Sequence, residues 1–187
     1  LSEEGVKIIK TLPGFKVHAK LLLIRRKEKG ENIYYANIST GNFNESTAKV
    51  YSDESLLTAN QNIAREVNTL FHLFEAPYNP PRFKHLLVAP YYMRKTFVRL
   101  LNNEIKNAKE GKEAWIILKL NSLVDKKIAK KLYQASQAGV KIKLICRGIC
   151  ILKQGLKGIS ENIEITSIVD RFLEHSRIFI FSNDGDN

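Results

Sequence analysis

Two short strings carry residue types able to work on phosphorus: Lys16-Val-His18-Ala-Lys20 and Glu174-His175-Ser-Arg177. In each, a histidine is followed after one spacer by a permanent cation. An imidazole can attack a phosphate or pass it a proton, and the neighbouring Lys20 or Arg177 can neutralise the phosphate oxygens. In extended backbone, residues two apart share a face, so each histidine and its cation point the same way. Either histidine alone would pass for an ordinary surface or packing residue. The same arrangement in both halves of the chain points to two strands brought together around one anion.

The flanking residues must supply those strands. Residues 16–24 alternate, with Val17, Ala19, Leu21 and Leu23 on one side and His18, Lys20 and Leu22 on the other, which predicts a strand. A charged turn over 25–32 and a second strand over 33–38 complete an expected hairpin. A polar loop (39–46) and a short strand (49–51) follow. The helix over 60–75 then repeats Ile63, Val67, Leu70, Phe71 and Phe74 at spacings of three and four. Pro77, Pro80 and Pro81 break it, so 76–85 reads as a linker and the chain divides into units 1–85 and 86–187. In the second unit strands are expected over 86–89, 113–120 and 140–146, with helices over 92–109 and 124–138. Strands over 163–168 and 177–181 flank the element carrying His175.

The 187 residues include 30 Lys and Arg against 19 Asp and Glu, a net charge of +11 that favours a polyanionic partner. Charge does not choose between nucleic acid, an anionic membrane surface and polyphosphate. Cys146 and Cys150 are too few for a disulfide framework and lack the Cys/His company of a zinc site. No apolar run reaches the roughly 20 residues of a spanning helix. A cytoplasmic location is expected, with peripheral membrane association as a further option. Both ends read as cuts inside a longer protein, and the chain alone is expected to lack sustained activity.

The paired half-sites resemble those of the phospholipase D superfamily, in which one histidine is the phosphorylated nucleophile and the other a general acid. That superfamily's diesterases carry an Asp five residues after the Lys, where this chain has Arg25 and Ser182. The strings FKVHAKLLLI, STGNFNESTAKVYSDESLLTAN, NSLVD, QASQAGVKIKLICRGIC and IVDRFLEHSRIF resemble the C-terminal half of bacterial polyphosphate kinases, in order and spacing, across essentially the whole chain. The resemblance implies an α/β fold: two phospholipase D-like units with central mixed sheets, the first incomplete. It implies an ATP-dependent, magnesium-requiring kinase that forms polyphosphate through a phosphohistidine.

By the same resemblance His18 takes the phosphohistidine position and His175 that of the second active-site histidine, which touches nucleotide phosphates. Tyr51 matches a tyrosine bordering adenine, and Arg147 an arginine on the ATP phosphates; Lys20 and Arg177 remain, from their spacing to the histidines, further phosphate-binding cations. The partners implied are ATP, ADP and inorganic polyphosphate, with no nucleic acid, no integral membrane segment and a homo-oligomeric full-length enzyme. The Mg2+ site is expected mainly in segments absent from this chain, and none of its residues is assigned to metal. Two other readings compete: a phospholipase D-type phosphodiesterase and a non-catalytic polyanion-binding module. His72 and His85 receive no role. The lysine pairs 126–127 and 130–131 give one helix a basic face, and the polar residues 39–44 are candidate hydrogen-bond donors to phosphate.

Overall fold

The computed structural model describes residues 2–9, 14, 16–78 and 80–186. Strands β1 (Lys20–Glu28) and β2 (Glu31–Ser39) form an antiparallel hairpin, with Lys20 opposite Ser39 and Glu28 opposite Glu31. Residues 25–28, expected in the turn, instead prolong β1, because a strand with one face in water accepts charged side chains. The turn shrinks to Lys29-Gly30, whose φ values of 50° and 88° match the twist of a two-residue hairpin loop. Leu21 and Leu23 pack inward, whereas Leu22 and Ile24 stay exposed, as the alternation predicts.

After the hairpin come α1 (Glu45–Ala48), β3 (Tyr51–Ser52), β4 (Ser55–Thr58) and α2 (Gln61–Glu75). The sequence reading did not anticipate β4, which pairs with β2 and completes the sheet order β1-β2-β4. Asn60 caps α2 by accepting from the amides of Asn62 and Ile63. The helix buries Ala64 and Val67 against Ala36, with Leu21, Leu23, Tyr34 and Ile38 closing the cluster.

The second unit holds α3 (Met93–Lys109), β5 (Trp115–Leu120), α4 (Lys126–Gln137), β6 (Lys141–Cys146), β7 (Ile163–Thr166), β8 (Leu173–Glu174) and β9 (Ile178–Phe181). Its mixed sheet runs β7-β6-β5-β9, with β5, β6 and β7 parallel and β9 antiparallel to β5. Alternation in β6 buries Ile142, Leu144 and Cys146 and exposes Lys141 and Lys143. The buried side chains meet Leu101 of α3 and Ala129, Leu132 and Ala135 of α4, forming the main core. Among the described residues no helix is long and apolar enough to cross a membrane.

Residues 86–89 form no strand. The backbone leading into them is held differently: the Glu66 carboxylate of α2 accepts from the amides of Lys84, His85 and Leu86 at 2.7, 2.9 and 2.8 Å. The expected linker is thus clamped to the first unit's helix; Asn79 within it lies outside the described residues. Burial alone would raise the Glu66 pKa, but the three amides outweigh it and hold the carboxyl below its usual range. A depressed folded-state pKa stabilises above the unfolded value, and that contribution fades as pH falls through the folded value. Glu66→Ala is therefore expected to cost about 1–3 kcal/mol near pH 7. Urea denaturation should show the gap between variant and wild type closing under acid conditions; a pH-independent gap would refute the clamp.

Candidate active site

The two units are joined by a very short parallel pairing. Tyr51 lies opposite Leu173 and Ser52 opposite Glu174, and the amides of Leu173 and His175 donate to the carbonyls of Val50 and Ser52 at 2.8 and 3.1 Å. One residue further along each strand stand Asp53 and His175. His175 is 6% exposed, and its Nδ1 lies 2.6 Å from Asp53 Oδ1. A carboxylate only accepts, so Nδ1 carries the proton and Nε2 is left for another partner. Arg177 Nη2 stands 3.4 Å from Nε2.

Asp53 is itself braced. Thr40 Oγ1 donates to its Oδ1 at 2.9 Å, and the Asp53 side chain lies so close over Gly41 that a Cβ there would come within 2.7 Å of Oδ2. Ser39 Oγ donates to the Glu54 carbonyl, and the Gly41 amide donates to Ser39 Oγ. These polar side chains, expected to face phosphate, are engaged in holding Asp53 in place.

His18 comes next to His175, with ring centroids 6.4 Å apart and planes at 80°. Tyr51 packs edge-on to His175 at 5.0 Å. The strand expected from residue 16 begins only at Lys20, so His18 lies on the chain entering β1 and is exposed, while Lys20 is 8% exposed. Lys20 Nζ is 3.1 Å from Nδ1 and 3.0 Å from Nε2 of His18. An ammonium that near to both nitrogens must sit over the ring face, since in the ring plane it would collide with Cε1. The contact therefore leaves the ring edge, where the lone pair points, free. Partial burial, then the charges of Lys20, Arg177, Lys16 and His175, hold the His18 pKa below that of an ordinary histidine.

The arginines come from the other side of the cleft. Arg147 follows β6, Asn121 follows β5, and Arg177 precedes β9, which runs antiparallel to β5. All three therefore collect at the C-terminal ends of the parallel strands, where α/β sheets place their ligand sites. With its carboxamide oxygen turned toward them, Asn121 accepts from Arg177 Nη2 at 2.7 Å and Arg147 Nη2 at 3.3 Å. Arg147 Nη1 is buried without a partner among the described residues, a donor suited to an incoming anion. Gly148 allows the Arg147 loop to lie against residues 121–122, because a Cβ there would meet Asn121 O and Ser122 Oγ at 2.8 Å. Burial and the charge of Arg147 lower the Arg177 pKa, yet a guanidinium stays charged. Lys119 is paired with Glu174 at 2.5 Å and adds no free charge. Among the described residues Asp53 is the one carboxylate whose charge acts on both Lys20 and Arg177, and with Arg147 beside Arg177 the cleft is cationic.

The structure brings together His18, Lys20, Tyr51, His175 and Arg177, and sets Arg147 beside Arg177. It adds Asp53 and Asn121, which sequence reasoning missed; Asp53 stands two residues after Tyr51 in the string KVYSDES, and Asn121 opens NSLVD. His72 faces Glu75 at 3.3 Å and His85 contributes its amide to Glu66, so neither joins the cluster. Arg25 is exposed on β1, and Ser182 Oγ donates to the Glu113 carbonyl. The carboxylate missing at those two positions is nevertheless present beside His175, supplied by Asp53, so its absence from the motif does not by itself separate a kinase from a diesterase. Among the described residues no three His, Cys, Asp or Glu gather to hold a metal ion.

A family model described as polyphosphate kinase C-terminal domain 1 matches residues 1–80, and one described as polyphosphate kinase C-terminal domain 2 matches residues 86–187. The polyphosphate kinase of Vibrio cholerae serotype O1 is 55% identical over 185 residues, 99% of this chain and 26% of its own length. That of Escherichia coli K12 is 51% identical over 186 residues, 100% of this chain and 27% of its own. The crystal structure of polyphosphate kinase from Porphyromonas gingivalis matches with a TM-score of 0.90 at 46% identity, covering 98% of this chain and 31% of that one. The chain spans about a quarter of the length of the curated relatives it matches. With both family models laid in order along it and the fold shared nearly end to end, the chain belongs to the polyphosphate kinase family, in the region of its two C-terminal domains.

Proposed function

We propose that this chain carries the phosphotransfer centre of an ATP–polyphosphate phosphotransferase, with His18 as the phosphorylated residue. The observation that carries the reading is the 6.4 Å approach of the His18 and His175 rings within a cationic cleft. The relatives' name and the family match support ATP and polyphosphate as substrates. Separate cores support two domains, 1–85 and 86–187.

In the forward step a ring nitrogen of His18 gives its lone pair to the γ-phosphorus of ATP as the bond from phosphorus to the β-bridging oxygen breaks. That oxygen keeps the electron pair and ADP departs. In the second step a terminal oxygen of polyphosphate attacks the same phosphorus, and the N–P bond breaks back to the imidazole. The lowered His18 pKa keeps the attacking ring neutral. Arg147, Arg177 and Lys20 neutralise the transferring oxygens, and His175 Nε2 is placed to exchange a proton with the departing or entering phosphate. Tyr51 forms a wall suited to a nucleotide base. The family implies Mg2+, but among the described residues no cradle for it forms: Asp53 is committed to His175 and Thr40, and Glu174 to Lys119.

The test is γ-labelled ATP with the native protein that carries this chain. Label should appear on His18, labile to acid and stable to alkali. Its acid limb of formation should fall below the ordinary histidine value of about 6.5 and rise toward it in Lys20→Met, which removes a like charge. Absence of label at His18 would refute the proposal. The Asp53–His175 pair also suits a phospholipase D-type phosphodiesterase, and turnover of a chromogenic phosphodiester without His18 labelling by ATP would favour that reading.

A further inference from the structure

Away from the cleft, the outer face of the second unit is built from two helices whose surface acids stand only at their caps, Glu110 after α3 and Asp125 before α4. The one carboxylate of α3, Glu104, is 1% exposed and accepts from the Asn183 amide, and α4 has none. An open groove of 710 Å³ runs along α3, rimmed by the exposed cations Arg82, Lys95 and Arg99 over a floor of half-buried side chains. At Asn102 it continues into a second groove of 460 Å³ between α3 and α4, flanked by Lys109 and Lys131. None of these five cations forms an ion pair among the described residues, unlike Arg94, Lys106 and Lys112 nearby. Lys95 and Lys109 are 14 residues apart on one helix, about 21 Å at 1.5 Å per residue.

We infer that this groove is a docking track for inorganic polyphosphate, outside the catalytic cleft and built to hold the polymer's length rather than its end. The inference rests on the proposed function for the identity of the polymer. Five cations without an ion pair among the described residues, lining two grooves that share Asn102, match a flexible chain bearing charge at every unit, whereas a single nucleotide would engage only one part of them. Nucleic acid binders of this kind add aromatic faces along the path for bases to stack on. Here Phe83 and Tyr92 lie at one end, and the Lys109–Lys131 end is lined by no aromatic ring. A membrane surface would call for apolar side chains projecting between the cations; those in the groove are half-buried in its floor. The phosphate-only reading is the one the lining supports.

The test compares labelled long-chain polyphosphate with tripolyphosphate, by fluorescence anisotropy on the native protein at several salt concentrations. Lys95→Glu/Arg99→Glu alters exposed side chains only. It should weaken long-chain binding at least about tenfold and reduce the slope of log affinity against log salt by about two, one per removed contact. Tripolyphosphate affinity and His18 labelling by ATP should stay unchanged. Unchanged long-chain affinity alongside intact His18 labelling overturns the track and leaves the proposed function standing. Loss of His18 labelling in the variant also overturns it, because the groove would then be part of the reaction site. Competition by polyuridylate as effective, per phosphate, as by polyphosphate would overturn the preference for a base-free polymer. Failure of the wild type to label at His18 counts against the proposed function alone, since anisotropy still reads the track.

Discussion

His18→Ala is expected to eliminate the ATP-derived phosphoenzyme and to lower turnover of the native protein by at least about 10⁴-fold, as removal of a covalent nucleophile does. Among the described residues no nearby group can take over. Lys20 is buried with its ammonium over the vacated ring position, and a protonated amine has no lone pair to offer. His175 is the only other imidazole in the cleft, and its Nδ1 is tied to Asp53, fixing its orientation. His175→Ala separates the two roles: turnover should fall by about 10²–10⁴, while label can still accumulate slowly on His18. The measurement is label per mole of protein, followed over time beside steady-state synthesis. If the His175 variant lost label and the His18 variant kept it, the assignments would have to be exchanged. Turnover surviving in His18→Ala would remove the covalent step altogether.

Much of this cleft is legible in the residues and some is not, for reasons that lie in chain geometry. The pairs His18/Lys20 and His175/Arg177 are readable because a period of two and a charge type are local properties. The hairpin, α2, α3, α4 and the strands β5 and β6 are readable for the same reason: each carries its own apolar period. The start of β1 at Lys20 is not readable, because residues 16–19 alternate as well as the residues that do pair, and pairing depends on how far β2 extends. The missing strand over 86–89 shows a similar limit, since the amide of its first residue, Leu86, and those of Lys84 and His85 just before it are satisfied by Glu66, 18 to 20 residues earlier. Asp53 escapes notice because its meaning arises from a partner 122 residues away. Nothing in the string KVYSDES distinguishes its carboxylate from Glu54 beside it. Only the register of β3 against β8 gives one of them a histidine.

Asp53 is the positioning residue on which the largest effect after the histidines is expected. It holds His175 Nδ1 at 2.6 Å and so leaves Nε2 facing Arg177, but in the proposed reaction touches no reacting atom itself. Asp53→Asn keeps the shape. Its carboxamide oxygen can still accept from Thr40 and His175, yet the negative charge that steadies a proton on the imidazole is gone, and the amide can also turn its NH2 to the ring and impose the wrong tautomer. In a serine-protease triad such a change costs about 10⁴ in rate; here, with His175 aiding rather than attacking, a loss of about 10²–10³ is expected. A loss of this kind could come from disturbed packing, so a second substitution decides. At Gly41 an added Cβ would stand 2.7 Å from Asp53 Oδ2 and 2.9 Å from its Cβ, so Gly41→Ala must push the carboxylate off His175 without altering any ionisable group. It should lower turnover in the same direction, with tripolyphosphate affinity little changed. If Gly41→Ala acts through the Asp53–His175 contact, it will add no further loss in an Asp53→Ala background, because the contact can be lost only once. Losses that multiply in the double variant would show that Gly41 and Asp53 serve the protein separately, and would end the claim that Asp53 works by aiming His175.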